Sequence, residues 1–453
     1  MITMEDRHFE SLFPDTARSE EIKKLLKFVS AGKSCQLLGL PGAGRANLLS
    51  LLAYNKSIRE KHLGEKSKFV HFILLDFSEM RSRPLYDAMK FLFLGLTESL
   101  KERGMTEEYE RVNTAFREAL SFNDELVLFQ ELKQAVDFLA LEKKLTLIFL
   151  FNRFEDYIPS VTSEFFRNLR ILRNRAKYRF SVVFSVDRPL ESLVDPAALS
   201  DFYEYIAGYH LYIRIYDEPS VNFLLSYLEK LTGKKLDKTV VSEILKLTGG
   251  FAKITRLVFE SCLARPHPDP LLKGEGVIKL VDFLLSQSSI RSSLSDIWLE
   301  LTPAEQSDIQ QATFEDIEVL KYLEDSGLIS GKKIQIPLFA QYLRVSKTVL
   351  KTAEEKIVFD ENTNSIRKGK IMLSDNLTSS EFKLLRHLLL NQDKVVERDE
   401  IISVVWQSVK STAGITDQAV DQLIFRLRRK IEEDPNTPQH LQTVKGRGFR
   451  FLP

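Results

Sequence analysis

The sequence predicts a multidomain chain of the α/β plus α class, and three observations carry that prediction. A length of 453 residues corresponds to roughly three domains at about 150 residues each. Up to about residue 215, short apolar runs alternate with long helical stretches, which is typical of a buried parallel sheet. After residue 351 the pattern changes to strands that flank three helices and a closing hairpin. With the helical material between, we predict units at 1–215, 216–287, 288–350 and 351–453.

Composition excludes several classes of function. The chain has 64 Lys and Arg against 63 Asp and Glu, a net charge of +1, which argues against a wholly basic nucleic-acid coat but leaves room for a local basic patch. The two cysteines, Cys35 and Cys262, are too few for a disulfide framework or a four-thiolate zinc site, and they favour a reducing, cytosolic setting. The most apolar runs are too short to cross a bilayer. We therefore expect no metal site and no membrane partner.

A glycine-rich loop follows the first apolar run of the predicted sheet. The runs span residues 34–38, 69–76, 145–151 and 180–186, and each is short enough for a buried strand. Behind the first run come Gly39, Gly42 and Gly44, then Arg45, Ala46 and a helical stretch, which is the strand–loop–helix setting of a phosphate-binding loop. A working loop needs lysine at position 45 and a Ser or Thr hydroxyl at position 46 to bind Mg²⁺. Arg45 keeps the charge, but Ala46 cannot bind a metal.

Later segments match the same type of module and also depart from it. Asn152 and Arg153 follow a hydrophobic strand where two acids are usual, Arg188 follows the next strand beside a polar sensor position, and Ala252 stands where a lid motif usually has proline. Residues 1–285 thus resemble a degenerate P-loop ATPase module of the STAND/AAA+ type, similar to the origin-recognition-like branch. The resemblance implies a P-loop-type parallel sheet with a helical lid. Because Mg²⁺ ligands are missing, we expect no catalytic residues, and binding of ATP or ADP without Mg²⁺ stays an open alternative.

The middle of the chain is predicted to be helical. Residues 218–287 have helical periodicity, and the proline- and glycine-rich stretch 265–276 predicts a loop. In 288–350, Thr302 and Glu305 indicate a helix start, residues 334–339 suggest a short strand, and Trp298 and Phe339 are candidate core aromatics. This segment resembles the small winged-helix unit that often follows such lids, and we interpret it as a packing domain.

One helix near the carboxyl terminus combines a buried stripe with an unusual opposite face. The stripe recurs at helical spacing: Val420, Ile424, Leu427 and Ile431. The opposite face carries amide, aromatic and guanidinium groups: Gln418, Gln422, Phe425, Arg426 and Arg429. Amides and guanidinium groups can bind base edges, although a plain amphipathic helix with cations near its C-terminus is the competing interpretation. Arg428 belongs to the same cationic segment, and we assign it to the candidate interface as well.

The final hairpin favours the DNA-binding interpretation. Its strands alternate apolar residues around the tip formed by Gly446, Arg447 and Gly448. Thr443 and Lys445 stand just before the tip, so a hydroxyl and an ammonium can contact phosphates while Arg447 enters a minor groove. Helix and hairpin together predict a two-groove clamp on double-stranded DNA.

The region 357–453 resembles the winged-helix DNA-binding domain of OmpR/PhoB-type response regulators. The resemblance rests on eight segments in the family's order: 377–381, 384–385, 395–402, 405–406, 420–421, 426–430, 434–435 and 443–449. It implies that helix 416–432 enters the major groove, that the wing contacts the minor groove, and that loop 407–415 contacts RNA polymerase. It also implies binding as a homodimer or oligomer. Gln418, Leu423 and Phe425 depart from common family residues, so the target sequence cannot be transferred.

Three hypotheses of function follow. The first is a sequence-specific DNA-binding transcriptional regulator with a degenerate ATPase-like module as sensor or scaffold. The second is an ATP-hydrolysing, oligomerising switch, which Ala46 and Asn152 oppose. The third is an adaptor whose carboxy-terminal helix contacts protein. No strand-end aspartate with a partnering acidic pair precedes residue 351, so phosphorylation of an aspartate is not the expected switch.

Overall fold

The computed structural model describes residues 8–264, 275–311, 317–350, 357–360, 365–368, 371–406, 417–432, 434–435, 437–444 and 446–452. The chain divides into two compact units. Unit 1 comprises Met1–Leu284 with Ala312–Phe339, and unit 2 comprises Leu285–Gln311 with Ala340–Pro453. The predicted segment 288–350 is therefore divided between the two units.

A parallel sheet forms the centre of unit 1. Its strands are β1 Cys35–Leu38, β2 Val70–Asp76, β3 Thr146–Asn152, β4 Phe180–Val186 and β5 His210–Tyr212. Within the described residues the order is β2-β3-β4-β1-β5, and all neighbours pair in parallel. This confirms the predicted P-loop ATPase-like α/β fold. The short strand β5 was not predicted, because three residues give too little periodicity to recognise.

Helices cover the sheet of unit 1 and extend into the predicted lid. Those before the lid are α1 Ser19–Ser30, α2 Arg45–Tyr54, α3 Lys56–Leu63, α4 Leu85–Glu102, α5 Thr106–Phe122, α6 Glu125–Asp137, α7 Ser163–Ala176, α8 Leu190–Leu193 and α9 Pro196–Ile206. The lid contains α10 Glu218–Thr232, α11 Lys238–Thr248, α12 Ala252–Ala264 and α13 Glu275–Ser286. Helix α13 begins inside the stretch predicted as a loop, and residues 265–274 of that stretch lie outside the described residues.

Buried aromatic rings fill one side of this sheet. Phe184 on β4 lies 5.4 Å from the Phe151 ring, 5.0 Å from Phe154 and 6.1 Å from Phe202, measured between ring centroids. All four side chains are fully buried. Edge-to-face rings at these distances add to the hydrophobic stabilisation of the core.

A second correction concerns residues 334–339. They were predicted as a strand, but only Ile334 lies in one. It ends β7 Lys333–Ile334, which pairs with β6 Ile329–Ser330, and each of these strands has two residues. Helix α17 Pro337–Leu350 then begins at the proline, whose fixed φ suits the first helical turn. Helix α16 Ile317–Asp325 precedes the pair. Phe339 is buried as predicted, whereas Trp298 is only half-buried.

Unit 2 contains the carboxy-terminal winged helix. Its first helices are α14 Ser288–Glu300 and α15 Pro303–Gln311. The remaining elements are β8 Ile357–Asp360, β9 Ser365–Lys368, β10 Ile371–Met372, α18 Ser379–Leu390, β11 Val395–Val396, α19 Arg398–Val405, α20 Asp417–Ile431, β12 Leu441–Val444 and β13 Gly448–Phe451. An antiparallel sheet β10-β9-β8 precedes the helices, and a sheet β11-β13-β12 forms the wing. The order of strands, helices and closing hairpin agrees with the prediction.

The aromatic core gives the first testable prediction. Phe184→Ala should lower the free energy of unfolding of unit 1 by about 3–5 kcal/mol, because a fully buried ring leaves a cavity. Urea unfolding followed by circular dichroism measures the change. The control is Phe122→Ala, whose side chain is 67% exposed and whose loss should cost about 0.5 kcal/mol or less. Equal losses in the two variants would contradict the assigned core.

Candidate nucleic-acid interface and phosphate-loop cavity

Helix α20 presents the predicted polar and cationic face outward. Val420, Ile424, Leu427 and Ile431 are buried as the stripe predicts, and Leu423 joins them. Gln422, Phe425, Arg426 and Arg429 are exposed. Phe425 is an unusual member of this face, since 49% of a large aromatic side chain lies in solvent. The side chain of Gln418 lies outside the described residues.

Ion pairs hold α20 against its neighbouring helices. Arg398 on α19 donates to the Asp421 carboxylate at 2.6 Å and to the backbone carbonyl of Asp417 at 3.2 Å. Near the other end of α20, Lys430 donates to Glu381 at 2.7 Å. Glu381 itself closes a capping box with Thr378 at the start of α18. Both ends of α20 are thus fixed, which limits rotation of its exposed face.

A second set of hydrogen bonds joins α20 to the wing. Arg428 donates from Nε to the Leu441 carbonyl at 2.8 Å and from Nη2 to the Thr443 hydroxyl at 2.8 Å. Glu432 accepts from the backbone N–H groups of Gln439, His440 and Leu441 at 2.6–3.1 Å. Arg428 and Thr443 are both predicted DNA contacts; in this structure their polar groups bond to each other and brace the wing, and Thr443 stays exposed.

The remaining predicted interface residues lie at the wing tip and on the last turns of α20. Arg447 is exposed between Gly446 and Gly448. Arg429 donates to the backbone carbonyl of Leu299, at the end of α14 in the same unit. Lys445 and the loop 407–415 lie outside the described residues. The described part of the interface is therefore an exposed helix face and a cationic wing tip held in a fixed relation.

The glycine-rich loop of unit 1 borders a cavity of about 650 Å³ at the carboxyl ends of β3 and β4. Gly42 and Gly44 have φ of 88° and 104°, which side chains rarely adopt, and α2 begins at Arg45. Of the predicted nucleotide-site residues, Gly42, Gly44, Arg45, Ala46 and Asn152 line the cavity. Gly39 does not line it, and neither does Arg188, whose guanidinium lies 4.1 Å from the centre of the Tyr322 ring.

Arg45 is neutralised by two carboxylates inside the cavity. It donates to Glu155 at 3.2 Å and forms a shorter contact with Asp187, and its side chain is 9% exposed. Burial raises the pKa of Glu155 to about 8, and the adjacent Asp187 adds to the shift while Arg45 opposes it. Burial also raises the pKa of Asp187. In a working loop the lysine at this position would pair with a ligand phosphate. Here Arg45 pairs with side chains of the protein itself.

The residues present do not fit a Mg²⁺–nucleotide complex. Ala46 has no oxygen ligand, and Asn152 donates its amide to the carboxylate of Asp76 at 3.2 Å. Arg153 donates to the same Asp76 oxygen at 2.7 Å. Burial raises the pKa of Asp76, but the hydrogen bonds from Arg153 and Ser78 outweigh it, so that the net shift is downward. A guanidinium therefore neutralises the strand-end carboxylate that could otherwise hold a metal ion.

Arg18 is a buried arginine that was not predicted as a site residue, and it supports the glycine-rich loop through a hydrogen bond. Arg18 is 3% exposed and donates to the Ala43 carbonyl of the loop at 2.9 Å and to the Arg214 carbonyl at 2.7 Å. Burial lowers the pKa of Arg18, and Glu21 and Asp217 oppose that shift. Asp76 and Glu155 were also missed as site residues. Only their position at the end of apolar strands could have indicated them.

No group of three or more His, Cys, Asp or Glu side chains in the described part of the chain is placed to hold a metal ion. No described helix has both the length and the apolarity needed to span a bilayer.

Comparison with known proteins identifies the carboxy-terminal domain. Residues 375–451 match the family described as "Transcriptional regulatory protein, C terminal", and this region is a domain of that family. The regulatory protein VirG of Agrobacterium fabrum is 32% identical over 114 residues, which cover 24% of this chain and 44% of VirG. Protein PetR of Rhodobacter capsulatus is 42% identical over 93 residues, which cover 19% of this chain and 38% of PetR. The chain thus spans less than half the length of these relatives.

Solved structures also match over most of the chain. A Walker-type ATPase of Pyrococcus abyssi is 14% identical, with a TM-score of 0.44, and the match covers 75% of this chain and 99% of the ATPase.

The carboxylate pair around Arg45 predicts a dependence of stability on pH. Because Glu155 has a pKa of about 8 when folded against 4.5 ordinarily, the folded state keeps a proton that the unfolded state loses. The stabilisation that this retained proton gives is complete below about pH 4.5 and is lost as the pH rises through about 8. Glu155→Gln should flatten this decline, measured by thermal unfolding between pH 5 and pH 9. The exposed control Glu118→Gln should leave it unchanged; an unchanged slope in Glu155→Gln would refute the assignment.

Proposed function

We propose that the protein is a sequence-specific, double-stranded DNA-binding transcriptional regulator in which a degenerate ATPase-like module acts as sensor or scaffold. The observation that carries this proposal is the exposed face of α20 beside a wing that Arg428 and Glu432 hold in place. An α-helix fits the major groove of DNA, and an adjacent cationic hairpin fits the minor groove. The family assignment of residues 375–451 supports it.

The roles of the individual side chains follow from their exposure. Arg426 can donate two hydrogen bonds to guanine, and Gln422 can pair with adenine. Arg429 can do the same as Arg426 when its guanidinium exchanges the Leu299 carbonyl for a base. Phe425 can contact a thymine methyl group, and this contact would cover its exposed ring. Arg447 reaches the minor groove from the wing tip. Arg428 and Thr443 act through the position of the wing, and dimerisation and contact of residues 407–415 with RNA polymerase belong to the same proposal.

A degenerate phosphate site is the second part of the proposal. Arg45 is paired with Glu155 and Asp187, and Asp76 is paired with Arg153, so neither the γ-phosphate nor a metal ion finds its usual partner. We infer that the protein does not hydrolyse ATP. Binding of ATP or ADP without Mg²⁺ remains within the proposal, because the described N-terminus of α2 still faces the cavity.

Loss of an exposed arginine should weaken DNA binding. With DNA captured genome-wide from the native host as the source of the operator, Arg426→Ala or Arg429→Ala should each cost about 1–3 kcal/mol in gel-shift titration. Arg447→Ala should weaken binding through the wing. Arg386→Ala, on the exposed side of α18, is the matched control and should bind normally. Unchanged operator affinity in all three interface variants would overturn the proposal, and weak salt dependence would favour the adaptor hypothesis.

The nucleotide site gives a separate test. Isothermal titration of the full chain with ATP should show no gain in affinity when Mg²⁺ is added, and a phosphate-release assay should show no turnover. Titration with ADP in EDTA measures any binding that does not depend on metal. Mg²⁺-dependent tight binding together with turnover would establish the ATP-driven switch instead.

A further inference from the structure

Strand β2 lies at one edge of the parallel sheet of unit 1. Strand β2 pairs with β3 on one side, and no described strand pairs with its other side. In a parallel strand, alternate residues direct both backbone groups to the same side, so part of the seven-residue strand presents N–H and C=O groups outward. Such an edge is a template for another extended segment unless the protein covers it.

A cavity lies along this edge. Its volume is about 230 Å³, and it is lined by Phe72, Leu74 and Leu75 of β2 together with Tyr54 of α2 and Gly95 of α4. Phe72 and Leu75 point to opposite faces of the sheet, so a cavity that both of them line sits at the edge between the two faces. The edge of β2 is therefore reached through a groove between α2 and α4.

Helix α4 packs closely against β2 at Gly95. A Cβ atom at Gly95 would lie 2.2 Å from Leu75 Cδ2, so glycine permits the close approach of helix and strand. Outside the groove, a second cavity of about 540 Å³ shares Phe91 and Leu94 with the first. Leu94 is 39% exposed. Besides apolar side chains, this second cavity is lined by Arg83 and Lys90, and both of these cations pair with Asp87.

The charges around the groove select its occupant. Four carboxylates and one arginine are among the described residues that line the first cavity: Asp76, Glu79, Glu98, Glu102 and Arg103. Arg103 is held by the Val70 carbonyl at 2.7 Å, and Asp76 is paired with Arg153. Glu79 and Glu98 are exposed, and within the described residues neither carboxylate forms an ion pair. Burial raises the pKa of half-buried Tyr54, and the carboxylates of Glu102, Glu10 and Glu98 add to this shift.

We propose that the edge of β2 is a docking site for an extended, lysine- or arginine-bearing segment of a partner protein, which adds a strand to the sheet. Backbone hydrogen bonds supply affinity in this mode of binding, and the pockets beside the strand supply specificity. Phe91 and Leu94 accept apolar side chains, Glu79 and Glu98 attract cationic ones, and the Tyr54 ring is already covered by His8, which stacks on it at 3.6 Å. Pairing of two copies through β2 would bring these carboxylates towards their own equivalents and is disfavoured.

The test uses a fluorescently labelled, capped nine-residue peptide of alternating lysine and valine, titrated by anisotropy against the full chain. We expect saturable binding that weakens with salt. The same peptide N-methylated at alternate residues on one edge loses several backbone hydrogen bonds, so it should bind at least about tenfold more weakly. A peptide with glutamate in place of lysine should not bind.

Charge-reversed variants locate the site. Glu79→Lys with Glu98→Lys should weaken binding at least about tenfold, whereas Glu110→Lys with Glu118→Lys, on exposed positions of α5, changes the net charge equally and should retain it. Hydrogen exchange should show new protection of β2 amides when the lysine peptide binds. No binding up to millimolar peptide, equal binding of the N-methylated peptide, equal weakening in the two double variants, or self-association through β2 would each overturn the proposal.

Discussion

The pairing of Arg45 with Asp187 and Glu155 is the interaction on which the interior of unit 1 depends. It joins the start of α2 to the residues that follow β3 and β4, and so closes the carboxyl edge of the sheet. In a phosphate-binding loop with lysine at this position, a ligand would neutralise the cation. Here Asp187 supplies an anion from within the protein. The cost of burying three ionisable groups is reduced by the attraction between Arg45 and Asp187 and by the proton that Glu155 retains.

Arg153 is the second cation at the carboxyl edge of the sheet, and it too is paired within the protein. Arg153 and Asn152 replace two acids, and Asp76 on the adjacent strand accepts from both. In a working site a metal ion pairs with two acids, whereas here the Asp76 carboxylate at the end of β2 pairs with the guanidinium of Arg153. The two residues at the usual acid positions thus both bond to a carboxylate of the protein itself. The strand–loop–helix geometry is present, and the charged groups around it are paired within the protein.

Much of this could be predicted from the sequence, for identifiable physical reasons. The buried strands and the stripe of α20 were predicted because burial produces strong periodicity. The glycine loop was recognised because Gly42 and Gly44 occupy backbone conformations that other residues avoid. The roles of Arg428, Glu432 and Asp76 were not predictable, because their partners lie far away in sequence or on the backbone. Pro337 was assigned to a strand because its neighbours are apolar, although proline also begins helices.

The carboxy-terminal domain shows how a nearly neutral chain can present a cationic surface. The whole-chain charge of +1 averages acidic and basic regions, and many cations are neutralised within the fold, such as Arg398 by Asp421 and Lys430 by Glu381. The arginines on the outer face of α20 and at the wing tip have no carboxylate partner among the described residues. Because internal pairing fixes the helix and the wing, those arginines are held at a defined spacing. Local geometry, and not total charge, therefore determines whether this surface can discriminate one DNA sequence from another.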